Sequence, residues 1–172
     1  MKQLLELLMS LFGKQKETVT IEKTPEESLK PYIEENTNKD PNPIEFKTIR
    51  VNKEWVQLKV KNPELYKIIE EVDNFVWKKY KKNIVITMIF RTESEQDYLY
   101  RDSKKYAKKK FRSPHQFWQG VDLRTWTFTD KEIKEITDFA NKKQKGNYYK
   151  WVAKAHTVGK NGKHFHFQYV KS

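Results

Sequence analysis

The chain has 172 residues, enough for one domain with a hydrophobic core and too few for two of ordinary size. It contains no cysteine, which excludes disulfides, thiolate nucleophiles and Cys-ligated zinc. Lysine plus arginine number 35 against 23 acidic residues, a net charge of +12 that attracts polyanions without choosing among nucleic acid, wall polymers and membrane surfaces.

The N-terminal stretch MKQLLELLMSLFGKQK is too short to span a bilayer, and Glu6 interrupts it. No small-residue cleavage site follows, so the stretch reads as an amphipathic helix with Leu4, Leu8 and Leu11 on one face. Residues 1–44 are expected to form this segment and a linker arm. Thr24, Pro25 and Glu27 signal one short capped helix there, and ENTNKDPNP then punctuates the chain. The domain is expected over residues 45–172.

NPELYKIIEEVDNFVWKKYKK predicts a helix capped by Asn62 and started by Pro63. Its apolar positions, Leu65, Ile68, Ile69, Val72, Phe75 and Val76, repeat at helical spacing. NIVITMIF (Asn83–Phe90) predicts a strand buried on both faces. In RTESEQDYLYRDSKKYAKKK, Thr92 and Glu95 form a capping box, which places Arg91 where the strand ends and a helix begins. Between Lys78 and Arg112 there are 12 Lys/Arg against 4 Asp/Glu. That stretch is either a solvated helix face or a surface that holds an anionic polymer.

FRSPHQFWQGVDLRTW reads as a loop. TDKEIKEITDFANKK follows as a helix capped by Thr129 and Glu132. Two strands, Trp151–Thr157 and Lys163–Val170, finish the chain with VGKNG as the reversal between them. The order predicts an α+β domain with a small, mostly antiparallel sheet flanked by helices.

All 4 histidines, His115, His156, His164 and His166, lie in the last third of the chain. His164 and His166 share one face of an extended segment, and Phe165 and Phe167 take the other. His115 is followed seven positions later by Asp122. Two imidazoles and a carboxylate make a zinc set with the fourth position left for water. Such a centre gives hydroxide at neutral pH and polarises a carbonyl, as amide hydrolysis needs.

SPHQFWQGVDLR followed by KHFHFQY resembles the zinc peptidase superfamily of lysostaphin-type enzymes, D-Ala-D-Ala metallopeptidases and the hedgehog signalling domain. That superfamily is marked by a histidine, six intervening residues and an aspartate, then a later His-x-His. ITMIFRTESEQDYLY is similar to the family's upstream segment, a strand ending in Arg with a Gln a few residues on. The resemblance covers residues 84–169.

It implies a hedgehog/DD-peptidase-like fold, Zn2+ held by His115, Asp122 and His166, and a substrate carboxylate held by Arg91. The implied substrate is a short bacterial-wall (peptidoglycan) peptide containing a D-amino acid. Ser113 matches the Ser-x-His form. Ser113, Gln96 and Trp118 are expected around the substrate, Gln96 through a supporting hydrogen bond and Trp118 as a core plug or a cleft wall.

Two positions depart from the carboxypeptidase-like branch. Trp118 and Gly120 stand where that branch has glycine and a small residue, and Lys163 stands where it has the acidic general base. A protonated lysine cannot take a proton from water, so His164, with His156 second, is the expected proton carrier. Some murein endopeptidases of the superfamily also lack the acid and carry histidines beside the last ligand.

Two other classes stay open: an inactive zinc-fold module that binds wall peptide in a phage particle or envelope, and a basic nucleic-acid-binding protein. The expected localisation is synthesis in the cytoplasm with action at the wall after release or export.

Overall fold

The computed structural model describes residues 44–157 and 162–172. The expected N-terminal helix and linker arm over 1–43, and residues 158–161 of the VGKNG reversal, lie outside the described residues.

After a two-residue strand, β1 (Glu45–Phe46), the Thr48 hydroxyl accepts from Val51 N and opens α1 (Ile49–Lys61). The sequence reading had no helix here. Its signal is legible in retrospect: a threonine cap, then Val51, Trp55 and Leu58 at helical spacing, all buried. Asn62 ends α1 and caps α2 (Pro63–Tyr80), its Oδ1 accepting from Leu65 N at 3.1 Å. The Asn62 amide also donates to Tyr169 O (2.8 Å) and Trp118 O (3.1 Å). One side chain thus ties the helical layer to the far end of the sheet.

The strand expected over 83–90 is four residues long, β2 (Val85–Met88). It is not buried on both faces: Ile84 and Ile86 are buried, whereas Val85 and Thr87 are half-buried. The reason is that the long helices cover only one face of the sheet. β3 (Gly120–Arg124) lies within the segment read as a loop. Its Val121–Asp122–Leu123 alternation is too short to announce a strand by itself. α5 (Asp130–Asn141) carries the expected Thr129–Glu132 capping box, and β4 (Ala153–His156) and β5 (His164–Gln168) complete the sheet.

The order is β1-β2-β3-β5-β4, with β1 parallel to β2 and every other pair antiparallel. The result is a small α+β fold with a mixed five-stranded sheet flanked by helices. On one face Ile86, Leu123, Phe165 and Phe167 meet the helical side chains Leu58, Leu65, Ile69, Val72 and Ile136, all essentially inaccessible. Each such side chain contributes roughly 1.5–3 kcal/mol of burial.

The helix expected after Thr92 is broken in two, α3 (Glu93–Leu99) and α4 (Lys104–Lys108), because Ser103 caps a new start by accepting from Tyr106 N. The basic residues of the 78–112 stretch do not act as one group. Lys79 and Lys82 pair with Glu135 and Glu132 of α5, while Lys104, Lys105, Lys108 and Lys109 are exposed on and beside α4. Among the described residues no helix is long and apolar enough to cross a membrane.

Candidate metal centre

The second face of the sheet carries the polar side chains of alternate positions. Asp122 is registered opposite His166 and Arg124 opposite His164 across β3–β5, and His156 opposite His164 across β4–β5. His115 arrives from a 3-10 turn, Pro114–Phe117, that Ser113 caps while Gln116 returns a bond to Ser113 N. Ser-Pro at the start and Gln three positions on encode this turn. Two cross-links zip it to the end of β2: Arg91 N donates to His115 O (3.3 Å), and His115 Nδ1 lies 2.9 Å from Ile89 O.

Three ligand atoms converge as a result. The ligand atoms of His115, Asp122 and His166 all lie within 4.8 Å of one another. His115 Nε2 is 3.2 Å and His166 Nδ1 2.7 Å from Asp122 Oδ1. All three residues are buried, at 2%, 8% and 8% exposure, so a bare carboxylate here is desolvated and needs a cation or donors to offset that cost.

The donor set fits a divalent ion. It offers two imidazoles and one carboxylate, no competing lysine, and an outer partner for each ring. Ile89 O accepts from His115 Nδ1 and so leaves Nε2 free to ligate. The Gln168 side chain hydrogen-bonds His166. Gln168 belongs to the same strand phase as His164 and His166, which is how the sequence marks it as a neighbour of the site.

Two of the ligands, Asp122 and His166, are shifted toward their deprotonated forms. Burial works to raise the Asp122 pKa, but the two adjacent imidazoles outweigh it and hold the carboxyl well below the usual range. Burial pushes His166 below the ordinary histidine value against the opposing bond to Asp122. His156 is also lowered, first by burial and then by its histidine neighbours.

Gly120 is needed for close approach. A Cβ there would stand 3.2 Å from His115 N, His115 Nδ1 and His166 Cε1. Trp118, by contrast, adopts the left-handed conformation (φ 59°), which costs a non-glycine residue about 1–2 kcal/mol. Its ring stacks on Phe90 at 4.7 Å, a contact worth about 0.5–1.5 kcal/mol beyond the area it buries. Trp118 therefore closes the turn against the end of β2 and does not border the cleft.

The cleft beside the ligands is bordered by Arg91, Ser113, His156 and His164, all singled out from the sequence. Leu99, Tyr100, Phe111 and Arg112 also border it, and sequence reasoning missed them because no spacing rule connects them to the histidines. Gln96 reaches the cleft through Arg91, whose Nη1 donates to Gln96 Oε1 at 2.9 Å. His164 Nδ1 lies 3.0 Å from Gly162 O, and its Nε2 lies 3.9 Å from Asp122 Oδ2. Lys163 is elsewhere, its ammonium 2.6 Å from Asp130.

No protein-family model matches the chain, and neither the curated proteins nor the solved structures contain a match to it. The site itself is a buried His-Asp-His set able to hold a metal ion beside an open cleft.

Proposed function

We propose that the chain is a zinc-dependent hydrolase cutting an amide bond in a short peptidoglycan peptide that contains a D-amino acid. The observation that carries this reading is the buried convergence of His115, Asp122 and His166 beside His164, whose Nε2 is free to face the same centre. The likeness of SPHQFWQGVDLR and KHFHFQY to the zinc peptidase pattern supports the substrate class.

When bound, zinc supplies Lewis acidity and a water acidic enough to ionise near neutral pH. The chain's own residues do the rest. His115 offers Nε2 because Ile89 O holds its Nδ1 proton. His164 donates Nδ1–H to Gly162 O, so the neutral ring presents an Nε2 lone pair that can take a proton and later return it. Arg91, braced by Gln96, binds a substrate carboxylate with its planar fork. Leu99, Tyr100 and Phe111 pack the peptide's aliphatic part. The protein is made in the cytoplasm and acts on the wall after release or export.

A second reading, a zinc-fold module that grips wall peptide without cutting it, is favoured by one observation. Among the described residues that border the cleft, the only carboxylate is Asp122, itself a candidate ligand. Digestion of purified peptidoglycan with the zinc-loaded protein, followed by mass spectrometry of the released fragments, separates the two. Cleavage between stem-peptide residues is expected. Retention of zinc and wall fragments with no cleavage would leave the binding module.

A further inference from the structure

Among the described residues, the fixed charges bordering the cleft are those of Arg91, Arg112 and Asp122, and no lysine borders it. Asp122 is already engaged by His115 and His166. Two guanidinium groups are left. Arg50 and Arg101 each have carboxylate partners, Glu54 with Glu95 and Asp102 respectively. Among the described residues Arg91, Arg112 and Arg124 have none, and of these only Arg91 and Arg112 border the cleft.

The two arginines are also braced by one piece of structure. The Gln96 side chain is 1% exposed. Its Oε1 accepts from Arg91 Nη1 at 2.9 Å, and its Nε2 donates to Phe111 O at 3.4 Å, the carbonyl immediately before Arg112. The Arg112 guanidinium lies 5.6 Å from the centroid of Phe117, in the 3-10 turn that supplies His115. Tyr100 and Phe111, with ring centroids 4.9 Å apart, add an apolar wall to the same cleft. A cleft with two forked cations, an apolar wall and no free acid is complementary to a dianion with an aliphatic connection. Arginine rather than lysine suits a planar carboxylate at both ends.

We propose that the substrate is a peptide with two free carboxylates, the terminal one bound by Arg91 and a side-chain or branch carboxylate bound by Arg112. This deepens the hydrolase reading and rests on it for the identity of the reacting bond. It assigns Arg112 as a specificity-determining residue. A substrate whose second carboxylate is amidated binds more weakly, because Arg112 then loses a charge-assisted pair.

The probe is one tetrapeptide, L-Ala-γ-D-Glu-L-Lys-D-Ala, in four forms: both carboxylates free, the glutamate carboxylate amidated, the C-terminus amidated, and both amidated. Calorimetric affinity for the zinc-loaded protein is measured with each form, alongside turnover, in the wild type, Arg112→Gln and Arg91→Gln. In the wild type, amidation of either carboxylate is expected to weaken binding about 10- to 100-fold, the worth of a hydrogen bond to a charged group. Arg112→Gln should abolish the preference for free glutamate carboxylate and keep the preference for a free C-terminus. Arg91→Gln should do the reverse.

Circular dichroism and zinc content confirm that each variant is folded. Turnover of all forms with no preference at the glutamate carboxylate overturns the Arg112 assignment alone. An Arg112-dependent preference in binding without turnover keeps the assignment and overturns the hydrolase reading. Failure of all four forms to bind overturns both.

Discussion

His156 and His164 face each other across the β4–β5 pair with ring centroids 4.9 Å apart, yet their surroundings differ. His164 is anchored at Nδ1 by Gly162 O and turns Nε2 toward Asp122. His156 Nε2 is buried and has no hydrogen-bond partner among the described residues, and burial favours its neutral form. The anchored ring has a fixed tautomer and a defined direction for proton transfer; the other does not. On the proposed hydrolase reading, this asymmetry favours His164 over His156 as the proton carrier.

The zinc-loaded His164→Ala variant is therefore expected to keep its metal and lose about 10²–10⁴ in kcat, the ordinary worth of general acid–base help. The limb of the pH–rate profile that reports an imidazole should flatten. His156→Ala should lose less. Zinc content by elemental analysis and kcat on a wall fragment check both variants. Wild-type rates in zinc-loaded His164→Ala would remove His164 from the chemistry.

Zinc itself should bind in one equivalent. His166→Ala and Asp122→Ala should lose it, and Lys163→Ala should retain it, because the Lys163 ammonium is on Asp130. Gly120→Ala puts a methyl against both ligand rings, so zinc affinity should fall about 10- to 100-fold, as when ligand orientation is disturbed. Zinc at 100 times its dissociation constant should stabilise the wild type by about 2.7 kcal/mol, and a chelator should remove that gain. Competition with a chromogenic chelator and thermal unfolding with and without metal measure these effects. Full zinc binding by His166→Ala would place the metal elsewhere.

Much of this site is legible in the sequence because its positions follow from periodicity. His164 and His166 alternate with Phe165 and Phe167, so one strand fixes which residues enter the core and which face the cleft. The capping signals at Asn62, Thr92 and Thr129 depend on bonds within four residues, and all three form. What was not legible is non-local. Nothing in the neighbourhood of Arg112 shows that Gln96 will bond the carbonyl before it. Trp118 in a left-handed conformation is unreadable for the same reason, since the ring that compensates it, Phe90, is 28 positions away and on another element. The double-sided burial expected for residues 83–90 failed because composition reports hydrophobicity, not which sheet face the helices cover.

Placing an acid at position 163 tests whether the proton carrier is missing or replaced. Lys163 is exposed, and its side chain pairs with Asp130 outside the cleft. Lys163→Glu should then break that surface pair, at a cost of about 0–1 kcal/mol, and leave zinc binding and kcat unchanged. A rise in kcat of about tenfold or more would show that a carboxylate can enter the cleft from this position and act as base. Steady-state kinetics on zinc-loaded protein decide it.

Arg91 is held in register by a clamp on its neighbour. Arg50 donates to Glu95, to Glu54 (2.7 Å) and to Phe90 O (3.3 Å), and Glu54 Oε2 accepts from Phe90 N at 3.1 Å. The hydrogen bond from Arg50 is the main cause that holds Glu95 at about 2, below its ordinary value of 4.5, against the opposing effect of burial. A carboxylate whose folded pKa is depressed contributes stability that is fully present above the unfolded value. That stability is lost as pH falls through the folded one, so the window here runs from about 4.5 down to about 2. Glu95 is 39% exposed at its side chain, so solvent screening limits its contribution to about 0.5–1 kcal/mol. Glu95→Gln should be less stable than the wild type by that amount at pH 7, and the gap should narrow as pH falls from 5 to 3. Urea unfolding at several pH values measures it. Because glutamine also supports the Thr92 capping box, a gap that stays constant with pH would mean that the loss does not come from the ionised Glu95–Arg50 pair.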